Sequence, residues 1–149
     1  MKKQLKLTLL SCLLSIPAIT QAGPKDDIYR KGWIDFNKNG KMDIYEDPSA
    51  PIEERVKDLL SQMNMDEKTC QMATLYGSGR VLADALPTEK WKSEIWKDGI
   101  GNIDEEHNGL GKFGSEYAFP YAKHVKAIHD IQRWFVEETR LGIPVDFTN

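Results

Sequence analysis

The most specific chemical pattern in the chain is Asp35-Phe36-Asn37-Lys38-Asn39-Gly40-Lys41-Met42-Asp43-Ile44-Tyr45-Glu46. Oxygen-bearing side chains stand at alternate positions through Asp35, Asn37 and Asn39, and Gly40 sits where a sharp turn is needed. This is the spacing of a twelve-residue calcium loop. In such a loop Asp35, Asn37 and Asn39 supply side-chain oxygens and Lys41 its backbone carbonyl. Asp43 acts directly or through water, and Glu46 binds with both oxygens. Ca²⁺ takes six to eight hard oxygen ligands, and this spacing wraps them around one point. The expected metal site is therefore Asp35, Asn37, Asn39, Lys41, Asp43 and Glu46, holding a structural Ca²⁺. Two of the first three side chains are neutral Asn, which lowers the charge of the site. The loop is solitary and no clean helix precedes it, so an Asn/Gly-rich turn is the competing reading.

Other chemistry-bearing residues carry less. Asp104-Glu105-Glu106-His107 puts carboxylates beside an imidazole, and glycosidases work with a carboxyl pair. Carboxylates adjacent in sequence rarely aim at one atom, so the segment reads first as a solvated acidic loop. His124 and His129 are five residues apart on a predicted helix, not the four that would place two ligands on one face. Trp33, Trp91, Trp96 and Trp134 could stack on sugar rings, but Trp91 and Trp134 fall where helix cores need bulk. Gly77-Ser78-Gly79 lacks the lysine of a phosphate loop. Cys70 reads as a small structural thiol. No catalytic and no organic-cofactor residue is assigned.

The elements that must position these groups begin after a targeting segment. Lys2, Lys3 and Lys6 precede an apolar run, Leu7 to Ile19, and Thr20-Gln21-Ala22 offers small residues for a signal peptidase. Residues 1–22 are expected to be a signal peptide, with Leu9-Leu10-Ser11-Cys12 as a rival lipoprotein signal; the protein would be exported to the periplasm or the exterior. Cleavage removes three lysines and makes the formal charge of −3 more negative, which argues against nucleic acid or an anionic membrane as partner. No later apolar run is long enough to predict a transmembrane helix. One cysteine then remains, so no internal disulfide forms.

Residues 23–50 read as a leader holding the loop at 35–46. Pro51 suits the first turn of a helix, which carries Ile52, Val56, Leu59, Leu60 and Met63 on one stripe. Asn64 and Glu67 have the spacing of a capping pair and open a second helix through about Leu75. Thr88 would cap a third, carrying Trp91 and Ile95 and ended by Gly99. Ile100 to Ile103 suggests a short strand, and Asp104 to Ser115 a loop. The longest helix is expected from about Tyr121 to Arg140, with Val125, Ile128, Ile131, Phe135 and Leu141 in phase and Gly142 as terminator. Ile143 to Phe147 alternates as a strand would, and the chain is expected to continue past Asn149.

Two segments resemble glycoside hydrolase family 3. His129 to Val145 contains an Asp-x-Gln element running into Glu138-Thr139-Arg140-Leu141-Gly142-Ile143-Pro144. Pro51 to Met63, Asp66-Glu67-Lys68 and Gln71-Met72 resemble that family's opening helices. The resemblance spans about 48–149, and the leader resembles one seen in some exported bacterial members. It implies an α/β fold: residues 51–149 would be the start of a (β/α)₈ barrel, mostly helical over this stretch and incomplete. It also implies a retaining β-glucosidase-type enzyme acting on β-linked oligosaccharides or glucosides through an aspartate nucleophile and a glutamate acid/base. Both would lie beyond these residues, so no catalytic residue is assigned and the piece alone is expected to be poorly folded and inactive. The alternatives are a secreted calcium-binding module and a carbohydrate-binding paralogue without catalysis.

Overall fold

The computed structural model describes residues 25–77, 84–93, 95–104, 117 and 119–148. The expected signal segment, with Cys12, lies outside them, as do Glu105, Glu106 and His107. Two short strands, β1 (Tyr29–Arg30) and β2 (Trp33–Ile34), pair antiparallel in the leader. Helices α1 (Ile52–Gln62) and α2 (Met65–Gln71) follow. Strands β3 (Thr74–Tyr76), β4 (Asn102–Asp104) and β5 (Asp146–Thr148) form a parallel sheet in that order, and α3 (Tyr121–Glu138) crosses between the last two.

The predicted helix after Pro51 forms, and Glu53 and Glu54 in its first turn suit the positive end of the helix dipole. Its apolar stripe is not covered as expected. Met63 is buried and Leu59 half-buried, yet Ile52 is 70% exposed, Val56 50% and Leu60 47%. Polar contacts hold α1 to the turn at Ile44–Glu46: Tyr45 N donates to Asp58 Oδ2 at 3.0 Å, and Arg55 Nε donates to the Tyr45 carbonyl at 3.1 Å.

The capping pair at the start of α2 is reciprocal. Glu67 N donates to Asn64 Oδ1 and Asn64 N to Glu67 Oε2, both at 2.9 Å. The helix ends at Gln71, four residues earlier than its pattern suggests, because Thr74-Leu75-Tyr76 pairs with β4. The approach there is close: a Cβ on Gly101 would stand 2.2 Å from the Gln71 carbonyl oxygen. The predicted third α-helix is instead two 3₁₀ turns, Glu89–Ser93 and Ile95–Asp98. Trp91 N donates to the Thr88 carbonyl at 3.0 Å, and Gly99 ends the segment at φ +83°.

Helix α3 stops at Glu138 and Gly142 turns the chain at φ +57°, as expected of a helix terminator. Ile131 and Phe135 are fully buried on its inner face, whereas Val125, expected to join them, is 65% exposed. The core gathers Trp91, Ile100, Ile103, Ile131, Trp134, Phe135 and Val145, with Leu75 and Phe147 at its edge. Trp91 meets Trp134 edge-on, ring centroids 5.5 Å apart, an arrangement aromatic pairs favour. Gln132 then ties α3 to the approach of β5, donating to the Val145 carbonyl and accepting from Val145 N, both at 3.0 Å. Cys70 is a half-buried free thiol, and burial pushes its pKa up, as befits an inert thiol.

An ion pair joins the start of α2 to the chain just after α3. Arg140 Nε donates to Glu67 Oε1 at 2.8 Å and its Nη2 to Glu67 Oε2, while Nη2 also reaches the Gln62 carbonyl at 2.9 Å. Burial pushes the Glu67 carboxyl up, but Arg140 and the Asn64 N–H outweigh it and hold the pKa below the ordinary value. A carboxyl depressed in this way adds stability above its unfolded pKa and loses it as pH falls through the folded one. Arg140→Ala should lower stability by about 2 kcal/mol, between the ranges for exposed and buried pairs. Arg140→Lys should fall in between because it cannot bond both oxygens. Melting curves from pH 7 down to pH 3 check this: Glu67→Gln should flatten the acid limb, and an unchanged limb would remove the pair from that role.

Candidate functional site

The loop at 35–46 is built by its own short-range bonds. Asp35 is 2% exposed; its Oδ1 accepts from Asn39 N at 3.0 Å and its Oδ2 from Gly40 N at 2.9 Å. Gly40 turns at φ +77°, a conformation that glycine reaches without steric cost. Asn37 Oδ1 accepts from Asn39 N at 3.1 Å, and Asn39 Oδ1 from Lys41 N at 2.7 Å. Glu46, also 2% exposed, closes the loop: Oε1 accepts from Asn37 N at 3.2 Å and Oε2 from Asp43 N at 2.9 Å. Asp43 Oδ2 accepts from the amides of both Asn37 and Asn39. The structure therefore brings together the side chains of Asp35, Asn37, Asn39, Asp43 and Glu46, with Lys41 joined through its backbone.

The donors are carboxylate, amide and carbonyl oxygens, the hard set that Ca²⁺ takes. Among the described residues no three His, Cys, Asp or Glu side chains gather at metal-binding separation. The acids of the loop are interleaved with asparagines. Arg30 lies beside Asp35, with its Nη2 3.5 Å from Oδ2.

The loop also grips the body of the protein. Lys38, at φ +59°, donates through Nζ to the carbonyls of Phe36 (2.7 Å), Val136 (2.9 Å) and Thr139. These last two sit at the C-terminal end of α3, where carbonyls lack helical partners and a cation is favoured. Tyr29 Oη donates to Glu137 Oε1 at 2.9 Å, and Tyr45 Oη to the Leu141 carbonyl at 3.4 Å.

A second place of interest is the C-terminal rim of the parallel sheet, where α/β enzymes bind their ligands. Tyr76, Asp104 and Thr148 stand there in register. Thr148 Oγ1 donates to Asp104 Oδ1 at 2.9 Å, and Gly77 N to the Asp104 carbonyl at 2.9 Å. Two residues back along the same strands, Asn102 Nδ2 donates to Asp146 Oδ2 at 3.3 Å. The sequence reading missed this rim. Its signal was the alternation Asn102-Ile103-Asp104 and Asp146-Phe147-Thr148, short runs that gain meaning only when paired.

The other candidates stay apart. His124 and His129 lie on α3, with His129 Nδ1 3.7 Å from Asp130 Oδ1. Trp91 and Trp134 pack in the core as expected, and Trp33 is half-buried on β2. A groove of about 600 Å³ runs between residues 86–89 and α3. Charges along it are already paired, Arg133 with Glu137 at 2.7 Å and Lys92 with Glu138 at 3.2 Å. Among the described residues no helix is long and apolar enough to cross a membrane.

No family model matches the chain. Over 106 residues it is 32% identical to a protein of Formosa agariphila named "Putative beta-xylosidase", a glycoside hydrolase name. The match takes in 69% of this chain and 13% of that protein, so the chain corresponds to a small part of the relative's length.

Proposed function

We propose that the chain is the N-terminal part of an exported glycoside hydrolase of family 3, a retaining enzyme of the β-glucosidase or β-xylosidase type. The observation that carries this is the 106-residue similarity to a protein named as a β-xylosidase. The sheet agrees with it: three consecutive strands, parallel and adjacent in chain order with a helix crossing between the last two, are the way a (β/α)₈ barrel begins. Retention needs two carboxyl groups about 5–5.5 Å apart, one as nucleophile and one as acid/base. No pair within these residues is given those roles. The chain's own contribution is to build the first strands of the barrel and the rim of the sugar pocket.

The loop at 35–46 is read as a structural Ca²⁺ site, with Asp35, Asn37, Asn39, Asp43, Glu46 and the Lys41 carbonyl as ligands. When bound, the ion would neutralise two buried carboxylates and stiffen the loop that reaches α3. Support comes from the burial of Asp35 and Glu46 and from the oxygen-rich donor set.

Three outcomes are expected. Secreted material should begin at Gly23, which N-terminal sequencing reads directly. The protein from the complete reading frame should hydrolyse aryl β-glucosides or β-xylosides with retained configuration, seen by NMR of the first-formed sugar. A folded product inert on both would leave a non-catalytic binding module. Calcium at about 100-fold its dissociation constant should stabilise the wild type by about 2.7 kcal/mol, and Glu46→Gln should abolish the rise in melting temperature. An equal calcium response in both proteins would remove the site.

A further inference from the structure

The residues read as calcium ligands all lie in the loop at 35–46, but one of them is also held from outside it. Asn37 Nδ2 donates to Asp43 Oδ2 and, at 3.2 Å, to Oε1 of Gln62, the last residue of α1. Gln62 in turn donates through Nε2 to Asp58 Oδ2 at 3.2 Å, and that oxygen also accepts from Tyr45 N at 3.0 Å. The backbone carbonyl of Gln62 accepts from Arg140 Nη2 at 2.9 Å. Gln62 is thus fastened twice, by its main chain to the residue after α3 and by its side chain to the loop.

An asparagine is a ligand with a wrong end. Its amide carries an acceptor on one side and two donors on the other, and only the oxygen can enter the shell of a hard cation. Turned about, it presents N–H groups to a positive ion. A carboxylate has no wrong end, so the problem belongs to Asn37 and Asn39 and not to Asp35, Asp43 or Glu46.

For Asn37 the orientation is settled from α1. A carboxylate oxygen only accepts, so the end of Gln62 that meets Asp58 is Nε2, which leaves Oε1 for Asn37. Oε1 also only accepts, so the end of Asn37 that meets it is Nδ2. Asn37 Oδ1 is then left facing the loop, where it accepts from Asn39 N at 3.1 Å. Asp43 assists, yet it is itself read as a ligand, and an oxygen committed to an ion is less able to hold an amide. Gln62 stands outside the ligand set and keeps its bond either way. Among the described residues Asn39 has no such outside partner, since its Nδ2 donates to Asp43 alone. Asn39 is exposed and water can serve it, whereas Asn37 is half-buried.

We propose that Gln62 is a positioning residue for the cation loop, holding the Asn37 amide with its oxygen toward the ion, so that calcium affinity depends on α1. The proposal rests on the calcium reading above. Groups that orient metal ligands typically change affinity by about ten- to a hundredfold, and a single neutral hydrogen bond belongs at the lower end of that range.

The test uses the protein from the complete reading frame, with Ca²⁺ titrated by calorimetry and Tb³⁺ as a luminescent substitute. The signal that Glu46→Gln abolishes belongs to the loop. Gln62→Met, which keeps the length and helix preference of the side chain, should weaken calcium binding about tenfold. Terbium lifetimes in H₂O against D₂O should then count one more bound water, because the Asn37 oxygen no longer reaches the ion. In the Asn37→Asp background, where either end of the side chain is an oxygen, Gln62→Met should change calcium affinity by less than about twofold. The cycle separates positioning from general damage to α1, which would weaken both backgrounds alike. Wild-type affinity and hydration in Gln62→Met, or an equal loss in both backgrounds, would overturn the positioning role. A wild type that binds neither ion at the loop would overturn the calcium reading itself, and the role of Gln62 with it. If Gln62→Met fails to fold, Gln62→Ala carries the decision in the same cycle.

Discussion

The pairing of Arg140 with Glu67 is the constraint on which the rest of the arrangement depends. It joins positions 73 apart in sequence. Glu67 lies in the first turn of α2, directly before β3, and Arg140 lies just after α3, directly before β5. Fixing those two points brings the strand that follows each onto opposite sides of β4. The carboxylate is 4% exposed, so it must be paired to be tolerated there. Its partner is well chosen, because a guanidinium presents two parallel donors to two oxygens. The same carboxylate accepts the Asn64 N–H, so one side chain caps its helix and ties it to α3.

The leader is fastened to the same region from the other side. Lys38, Tyr29 and Tyr45 all reach the end of α3 or the turn after it. A Cβ on Gly142 would stand 2.7 Å from the Phe36 carbonyl oxygen, so the turn and the leader are packed backbone to backbone. Burial of Asp35 and Glu46 follows from that packing, and their oxygens are turned onto N–H groups of their own loop. The metal-like loop and the body are thus parts of one packed unit among the described residues.

Much of this was legible in the sequence because local rules and tertiary packing agree. The Asn64–Glu67 cap, the Pro51 start of α1, the Gly142 turn and the core roles of Trp91 and Trp134 were all read from spacing alone. Strand β3 was not, because Thr74-Leu75-Tyr76 is too short for a period and sits in phase with the helix before it. Only pairing with β4, permitted by the missing side chain at Gly101, ends the helix at Gln71. The stripe of Ile52, Val56 and Leu60 was read correctly as a helix face, but periodicity says nothing of what covers a face. Val125 was misplaced for the same reason. The polar side of the sheet was hidden because each strand contributes two visible residues, and their common side appears only from the register.

The Lys38 contacts also carry a consequence for how the chain is made. Its acceptors at Val136 and Thr139 lie 98 and 101 residues downstream. At a synthesis rate of about 5–20 residues per second, those carbonyls emerge roughly 5–20 s after the lysine. Throughout that interval the leader can close against α1 but Lys38 lacks its acceptors at the end of α3, because the helix end it caps does not exist. This design postpones the closure of its first residues until the far side of the unit has been delivered.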